Sequence, residues 1–224
     1  MKYMHDYLLQ FISALMMVSM TTVGCTKTLK IDERKYDAVL IGDSITEVWG
    51  NNETDFFNTG NYLNMGISGQ TSATIRDRFK KDVVDNNPYV VHIMCGTNDV
   101  AENDGRYVES SEVVDNIAAM AEMALAADIR VVIGAVFPCN YFKWRGSTWS
   151  PGKEGVTITS HIREINALLQ EYCQANQIPF IDYYSIFVNP EDGSFPLSYD
   201  GCHPGSEALK IMNKTVKPVI DSLL

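Results

Sequence analysis

The 224-residue sequence predicts a single α/β domain built as a three-layer α/β/α sandwich around a central parallel sheet of about five strands. Two observations carry that expectation. Short, almost continuously apolar runs alternate with longer segments whose apolar residues recur every three or four positions, the pattern of buried strands joined by amphipathic helices. Several of the apolar runs stop abruptly at Gly, Asp, Ser or Asn, the residues of turns at strand ends.

Taken in order, Ala38-Val39-Leu40-Ile41 is the first strand and breaks at Gly42-Asp43-Ser44. Tyr62 to Met65 is the second, followed by Gly66-Ile67-Ser68-Gly69 and a helix over 71–84 with Ile75, Phe79 and Val83 on one side. Tyr89 to Cys95 is the third strand, apolar throughout except for His92, as a central strand covered on both faces should be. His92 itself reads as a hydrogen-bonded core histidine rather than a ligand. A helix over 111–127 shows Val114, Ile117, Ala121 and Ala124 along one face, and Arg130 to Val136 is the fourth strand. A helix over 155–175 repeats the rhythm with Ile158, Ile162, Ile165, Leu169 and Tyr172; Phe180 to Tyr183 is the fifth strand; a last helix over 206–224 is interrupted late by Pro218. Right-handed crossovers between such elements give a flavodoxin-like parallel sheet.

The charge balance, 18 basic against 28 acidic residues for a net −10, contains no basic stripe. An acidic surface repels phosphate backbones, so nucleic acid is not an expected partner. The first two dozen residues differ in kind: a short polar start with Lys2, then a mostly apolar run from Leu8 to Met20, then small residues before Cys25. That run is short of the roughly 20 apolar residues a membrane-spanning helix needs. It fits a secretory signal over residues 1–24. Thr22-Val23-Gly24-Cys25 resembles the processing box of bacterial lipoproteins, with Thr22 where leucine is usual. The expectation is an exported, periplasmic or cell-surface protein, lipid-anchored through Cys25, with its folded domain over 35–224 and no other membrane contact.

Four further cysteines remain. Cys95 and Cys173 fall in a strand and a helix and read as small buried hydrophobes. Cys139 and Cys202 fall in loops, where a disulfide between them stays open. No pair has zinc-site spacing.

In a sheet of this kind the residues just after the strands converge on one rim. They are Gly42-Asp43-Ser44, Gly66 and Gly69, Gly96-Thr97-Asn98-Asp99 and, before the last helix, Asp200-Gly201-Cys202-His203-Pro204. Each has an ordinary structural explanation: Asp43 or Ser44 as a helix cap, Asn98 as a turn residue, Asp200 to Pro204 as a turn and cap. Together they supply what acyl transfer needs: a hydroxyl nucleophile, an imidazole base with an orienting carboxylate, and donors for an oxyanion.

From about Tyr36 to the C-terminus the sequence resembles the SGNH hydrolases, the GDSL-type lipase and esterase family. Gly42-Asp43-Ser44, Asn64-Met65-Gly66-Ile67-Ser68-Gly69-Gln70-Thr71, Gly96-Thr97-Asn98-Asp99 and Asp200-Gly201-Cys202-His203-Pro204 match its four signature blocks in order. The resemblance implies Ser44 as nucleophile, His203 as base, Asp200 as its partner, and an oxyanion hole from Ser44, Gly69 and Asn98. The choice of Gly69 over Gly66 rests on the resemblance alone. The chemistry agrees with these roles. A serine hydroxyl needs a base, histidine's reference pKa of ~6.5 lies near neutrality, and a carboxylate three residues away can fix the imidazole tautomer. No metal-ligand cluster or phosphate-binding glycine loop occurs, so no cofactor is expected.

The stretch between the fourth strand and the next helix holds Tyr141, Trp144 and Trp149, which read either as one wall of a substrate pocket or as an aromatic mini-core pinning the loop. Trp49 carries the same ambiguity. The expected activity is hydrolysis of short acyl esters through an acyl-enzyme, with O-acetylated carbohydrate as the favoured small-molecule or glycan ester substrate. The alternatives are a lysophospholipase or thioesterase of the same family, or a glycan-binding module without turnover.

Overall fold

The computed structural model describes residues 34–224. The signal peptide expected over 1–24 and the lipidation site expected at Cys25 lie outside the described residues.

Five strands, β1 (Tyr36–Gly42), β2 (Tyr62–Gly66), β3 (Pro88–Met94), β4 (Arg130–Gly134) and β5 (Phe180–Ile181), form one sheet in the order β2-β1-β3-β4-β5. Every pairing is parallel. The pleat divides the core in two. From β1, Val39 and Ile41 face one side with Val91, Ile93 and Ile133, and are covered by α3 (Ser72–Asp82), α5 (Ser110–Ala126) and α6 (Ile158–Asn176). Ala38 and Leu40 face the other side with Val90 and Val132, beneath α1 (Ser44–Asn52), α2 (Thr54–Thr59) and α8 (Ser206–Asp221). Burying one Ile, Leu or Phe contributes roughly 1.5–3 kcal/mol. The two apolar faces, rather than helix propensity, therefore hold the three layers together.

The boundaries follow local chemistry. Asp43 caps α1, its Oδ1 accepting from Ile45 N at 3.0 Å. Helix α6 starts at Ile158, three residues later than the apolar pattern suggests, because Thr157 and Ser160 form a reciprocal capping box. Its neighbour α5 buries Val113 fully and Val114 only partly. The fifth strand is shorter than expected: Asp182 accepts from Ser185 N at 3.0 Å and opens α7 (Tyr183–Phe187), so pairing ends at Ile181. Helix α3 ends at Asp82 and is followed by a 3₁₀ turn over Val84–Asn86. Pro218 does not interrupt α8, which runs on to Asp221.

This strand order reverses direction between β1 and β3. Chains leaving those neighbours turn to opposite sides and open a crevice at the strands' C-terminal ends. Ser44 follows β1 and α4 (Thr97–Val100) follows β3, so the crevice lies between them.

Candidate active site

At that crevice Ser44 Oγ lies 2.8 Å from His203 Nε2, and His203 Nδ1 lies 2.7 Å from Asp200 Oδ2. The other oxygen of Asp200 accepts from the backbone N–H groups of His203 at 2.8 Å and Cys202 at 3.1 Å. Both side chains thus come from one tight loop. Its shape is set by Gly201 at φ +96°, a left-handed conformation that glycine adopts without strain, and by Ser198, which accepts from Gly201 N and donates to Phe195 O. Burial works to raise the pKa of Asp200, but the hydrogen bonds from His203 and Cys202 outweigh it and hold the carboxyl below its ordinary range.

A pocket of about 300 Å³ opens over this trio, lined by Ser44, Ser68, Gly69, Asn98, Asn103, Trp144 and His203. The structure gives physical grounds for separating the two glycines that only the family resemblance tells apart in the sequence. A Cβ on Gly66 would stand 2.1 Å from Glu47 N, so Gly66 is needed where β2 meets α1. Gly69 adopts φ +79° with nothing within 4 Å of its Cβ position, and it borders the pocket. Arg78 stitches the strand ends together, donating to Gly42 O at 3.0 Å and Met65 O at 2.9 Å. The block after β3 is anchored by Asp99, which accepts from Ser72 N at 2.8 Å and Ser72 Oγ at 2.6 Å. Asn98 directs one amide N–H to Gln70 O at 3.0 Å, which leaves its second for the pocket.

Residues 40–211 match the profile of the GDSL-like lipase/acylhydrolase family. The chain belongs to that family. Its members are hydrolases acting on esters. A GDSL-like lipase of Bacteroides thetaiotaomicron superposes on this hydrolase with a TM-score of 0.79 at 38% identity, covering 87% of this chain and 91% of that one. An acylhydrolase-like protein of Bacteroides fragilis gives 0.76 at 37% identity over 84% and 88% of the two chains. The Bacillus subtilis lipoprotein YqeF is 26% identical over 144 residues, a match that takes in 58% of each chain.

Within this GDSL-like hydrolase the aromatic residues divide. Trp144 is 45% exposed, borders the pocket and lies 6.0 Å from the His203 ring. Tyr141 lies over the loop of Asp200 and His203, where a Cβ on Gly201 would meet its ring at 2.6 Å. Trp149 is not part of the pocket wall: it packs on Phe142 at 5.7 Å with Arg145 over its face, inside the loop's own mini-core. Trp49 is fully buried, donating from Nε1 to Asn213 Oδ1 at 2.7 Å. His92 is a core residue, pushed down to a pKa of about 3 by burial, with Nε2 3.4 Å from Tyr183 Oη. All four described cysteines are free thiols. Cys139 Sγ donates to Tyr141 O at 2.9 Å, and neither Cys139 nor Cys202 is in the disulfide that the sequence left open.

Three residues near the site escaped the sequence reading. Tyr199, 62% exposed, stacks on the His203 ring at 5.6 Å and 14°. Asn103 borders the pocket, and Arg145 reaches it from the loop after β4. A tyrosine, an asparagine and an arginine in polar loops carry no periodic or spacing signal that could have singled them out.

Proposed function

We propose that this hydrolase removes short acyl groups from O-acylated carbohydrate by way of an acyl-enzyme, with Ser44 as nucleophile. The observation that carries the proposal is the unbroken hydrogen-bond chain from Ser44 Oγ through His203 to Asp200 Oδ2, at 2.8 and 2.7 Å. Ser44 Oγ attacks the ester carbonyl while its proton passes to His203 Nε2. The imidazolium so formed is stabilised by Asp200 across Nδ1–H. The carbonyl oxygen, now anionic, is met by the backbone N–H groups of Ser44 and Gly69 and the free amide N–H of Asn98. Collapse of this intermediate expels the alcohol, which takes the proton from His203. Water activated by the same imidazole then releases the acid.

Two features support a small acyl group on a sugar. A pocket of about 300 Å³ is at the low end for ligand sites and suits an acetyl group better than a fatty chain. Flanking it, the exposed rings of Trp144 and Tyr199 offer flat apolar faces on which a pyranose can lie. We further propose export with a lipid anchor at Cys25, supported by the sequence of residues 22–25 and by the lipoprotein character of the Bacillus relative.

The test is hydrolysis of p-nitrophenyl esters of two to eight carbons and of acetylated xylo-oligosaccharide by the purified full chain, beside Ser44→Ala. The expected result is turnover that Ser44→Ala abolishes and that falls as the acyl chain lengthens. Rates rising with chain length would replace the reading with a lysophospholipase or thioesterase. Glycan binding with no turnover of any ester would replace it with a binding module. A diacylglycerol adduct on Cys25 in the mass of the membrane-extracted protein is the expected sign of the anchor, and an unmodified Cys25 would refute it.

A further inference from the structure

An asparagine donates into a pocket only if its amide is held the right way round, because a half-turn about its last bond exchanges donor and acceptor. Asn98 is held at both ends. Its Nδ2 donates to Gln70 O at 3.0 Å, and its Oδ1 accepts from Asn103 Nδ2 at 2.6 Å. A flip would set Oδ1 against a carbonyl oxygen and Nδ2 against another amide nitrogen, losing both bonds and turning an acceptor toward the oxyanion. Asn103 does more than this. Its Nδ2 also reaches Gly69 O at 3.3 Å, its backbone N–H donates to Asn98 O at 3.0 Å, and its Oδ1 accepts from Arg145 Nη2 at 3.2 Å. One side chain therefore contacts both segments that supply oxyanion donors beyond Ser44, and it is itself fixed by the loop that carries Trp144.

We propose that Asn103 is a positioning residue of the oxyanion hole. It sets the amide orientation of Asn98 and the placement of the Gly69 turn, and Arg145 fixes Asn103 in turn. The inference rests on the serine-esterase reading above and adds a residue to it.

The experiment measures kcat and KM for p-nitrophenyl acetate in the full chain, together with the dissociation constant of phenylboronic acid, whose adduct on Ser44 places an oxygen in the hole. Wild type is compared with Asn98→Ala, Asn103→Ala, Asn103→Asp, Arg145→Ala and the double variant Asn98→Ala/Asn103→Ala. Misplaced donors cost about 10–100-fold in rate, so Asn103→Ala should lose that much kcat with KM within about twofold, and boronate affinity should fall in step. Asn103→Asp keeps a partner for Arg145 but cannot donate to Asn98 Oδ1. Its kcat should fall at least as far while its melting temperature stays at or above that of Asn103→Ala. Arg145→Ala should show a smaller loss of the same kind. In the Asn98→Ala background, removing Asn103 should cost only a few-fold more, since the amide it orients is gone. An Asn103→Ala kcat within twofold of wild type beside a crippled Asn98→Ala would overturn the inference and leave the esterase reading standing. So would equal losses in both backgrounds. A wild type no faster than Ser44→Ala would remove the esterase reading itself, and the inference with it.

Discussion

Asp43 sits next to Ser44 and is almost completely buried, and only one of its side-chain oxygens has a partner. Burial pushes its pKa up to about 7 from 3.8, against the lowering effects of the Ile45 N–H and of His203. At about 1.36 kcal/mol per pH unit, a rise of that size amounts to about 4 kcal/mol of stability. The sign follows from which state binds the proton more tightly. Below pH 4 the carboxyl is neutral in both the folded and unfolded chain, and burying it costs no charge. Between pH 4 and 7 the unfolded chain releases the proton while the folded chain keeps it, so stability from this group declines through that window and levels off above pH 7. The substitution Asp43→Asn imitates the neutral acid at every pH and retains the acceptor for Ile45 N. Urea unfolding of wild type and Asp43→Asn at pH 4, 6 and 8 should show near equality at pH 4 and a growing advantage for the variant, approaching about 4 kcal/mol at pH 8. A difference that stays constant from pH 4 to pH 8 would refute the reasoning.

Asp200→Asn keeps an acceptor for the Cys202 and His203 N–H groups but sets an amide NH₂ against Nδ1–H. The imidazole must then carry its proton on Nε2, facing Ser44, and kcat on p-nitrophenyl acetate should fall about 10³–10⁴-fold with little change in melting temperature. Gly66→Ala forces a Cβ into the backbone of α1 and should lower unfolding free energy by about 1–3 kcal/mol or more. Gly69→Ala meets no atoms and should cost only about 1–2 kcal/mol of left-handed strain, while its kcat drops more than its stability suggests. Trp144→Ala should raise KM for acetylated xylo-oligosaccharide and leave p-nitrophenyl acetate nearly unchanged; equal effects on both substrates would exclude a sugar platform.

Local signals carried the fold. The strands of a buried parallel sheet announce themselves as apolar runs, and the helices by spacing, because each element's environment is uniform along its length. Where a single capping side chain decided a boundary, as Asp182 does for β5 and Thr157 for α6, periodicity misplaced the end by two or three residues. The same division applies to the site. Ser44, Asp200 and His203 lie within compact sequence blocks, and the structure brings the three side chains together. Gly66 and Gly69 became physically distinguishable through the packing of α1 on β2, and Trp144 and Trp149 only through the course of one loop. Asn103 and Arg145 depend on contacts between separate loops, which no spacing within the chain encodes, and Tyr199 meets the His203 ring only through the tight fold of the loop they share.

Environment also divides the work among the carboxyls around the site. Asp43, Asp99 and Asp200 are chemically alike, yet burial raises Asp43 to about 7 and Asp99 to about 6, whereas hydrogen bonds hold Asp200 below its ordinary range. Asp99 is moderated by the two bonds from Ser72, and Asp43 has only the one from Ile45. At mildly acidic pH, therefore, Asp200 is the one of the three that is firmly ionised, and it is the one bonded to Nδ1 of His203. In the proposed mechanism a proton passing from Ser44 to Nε2 would find its compensating charge already in place at Asp200 and need not wait for solvent to reorganise. Asp43 is close enough to interact with His203 but gains its charge only near pH 7. Pushing neighbouring carboxyls apart in this way leaves Asp43 as a helix cap and fits Asp200 for the proposed stabilisation of the imidazolium, from position alone.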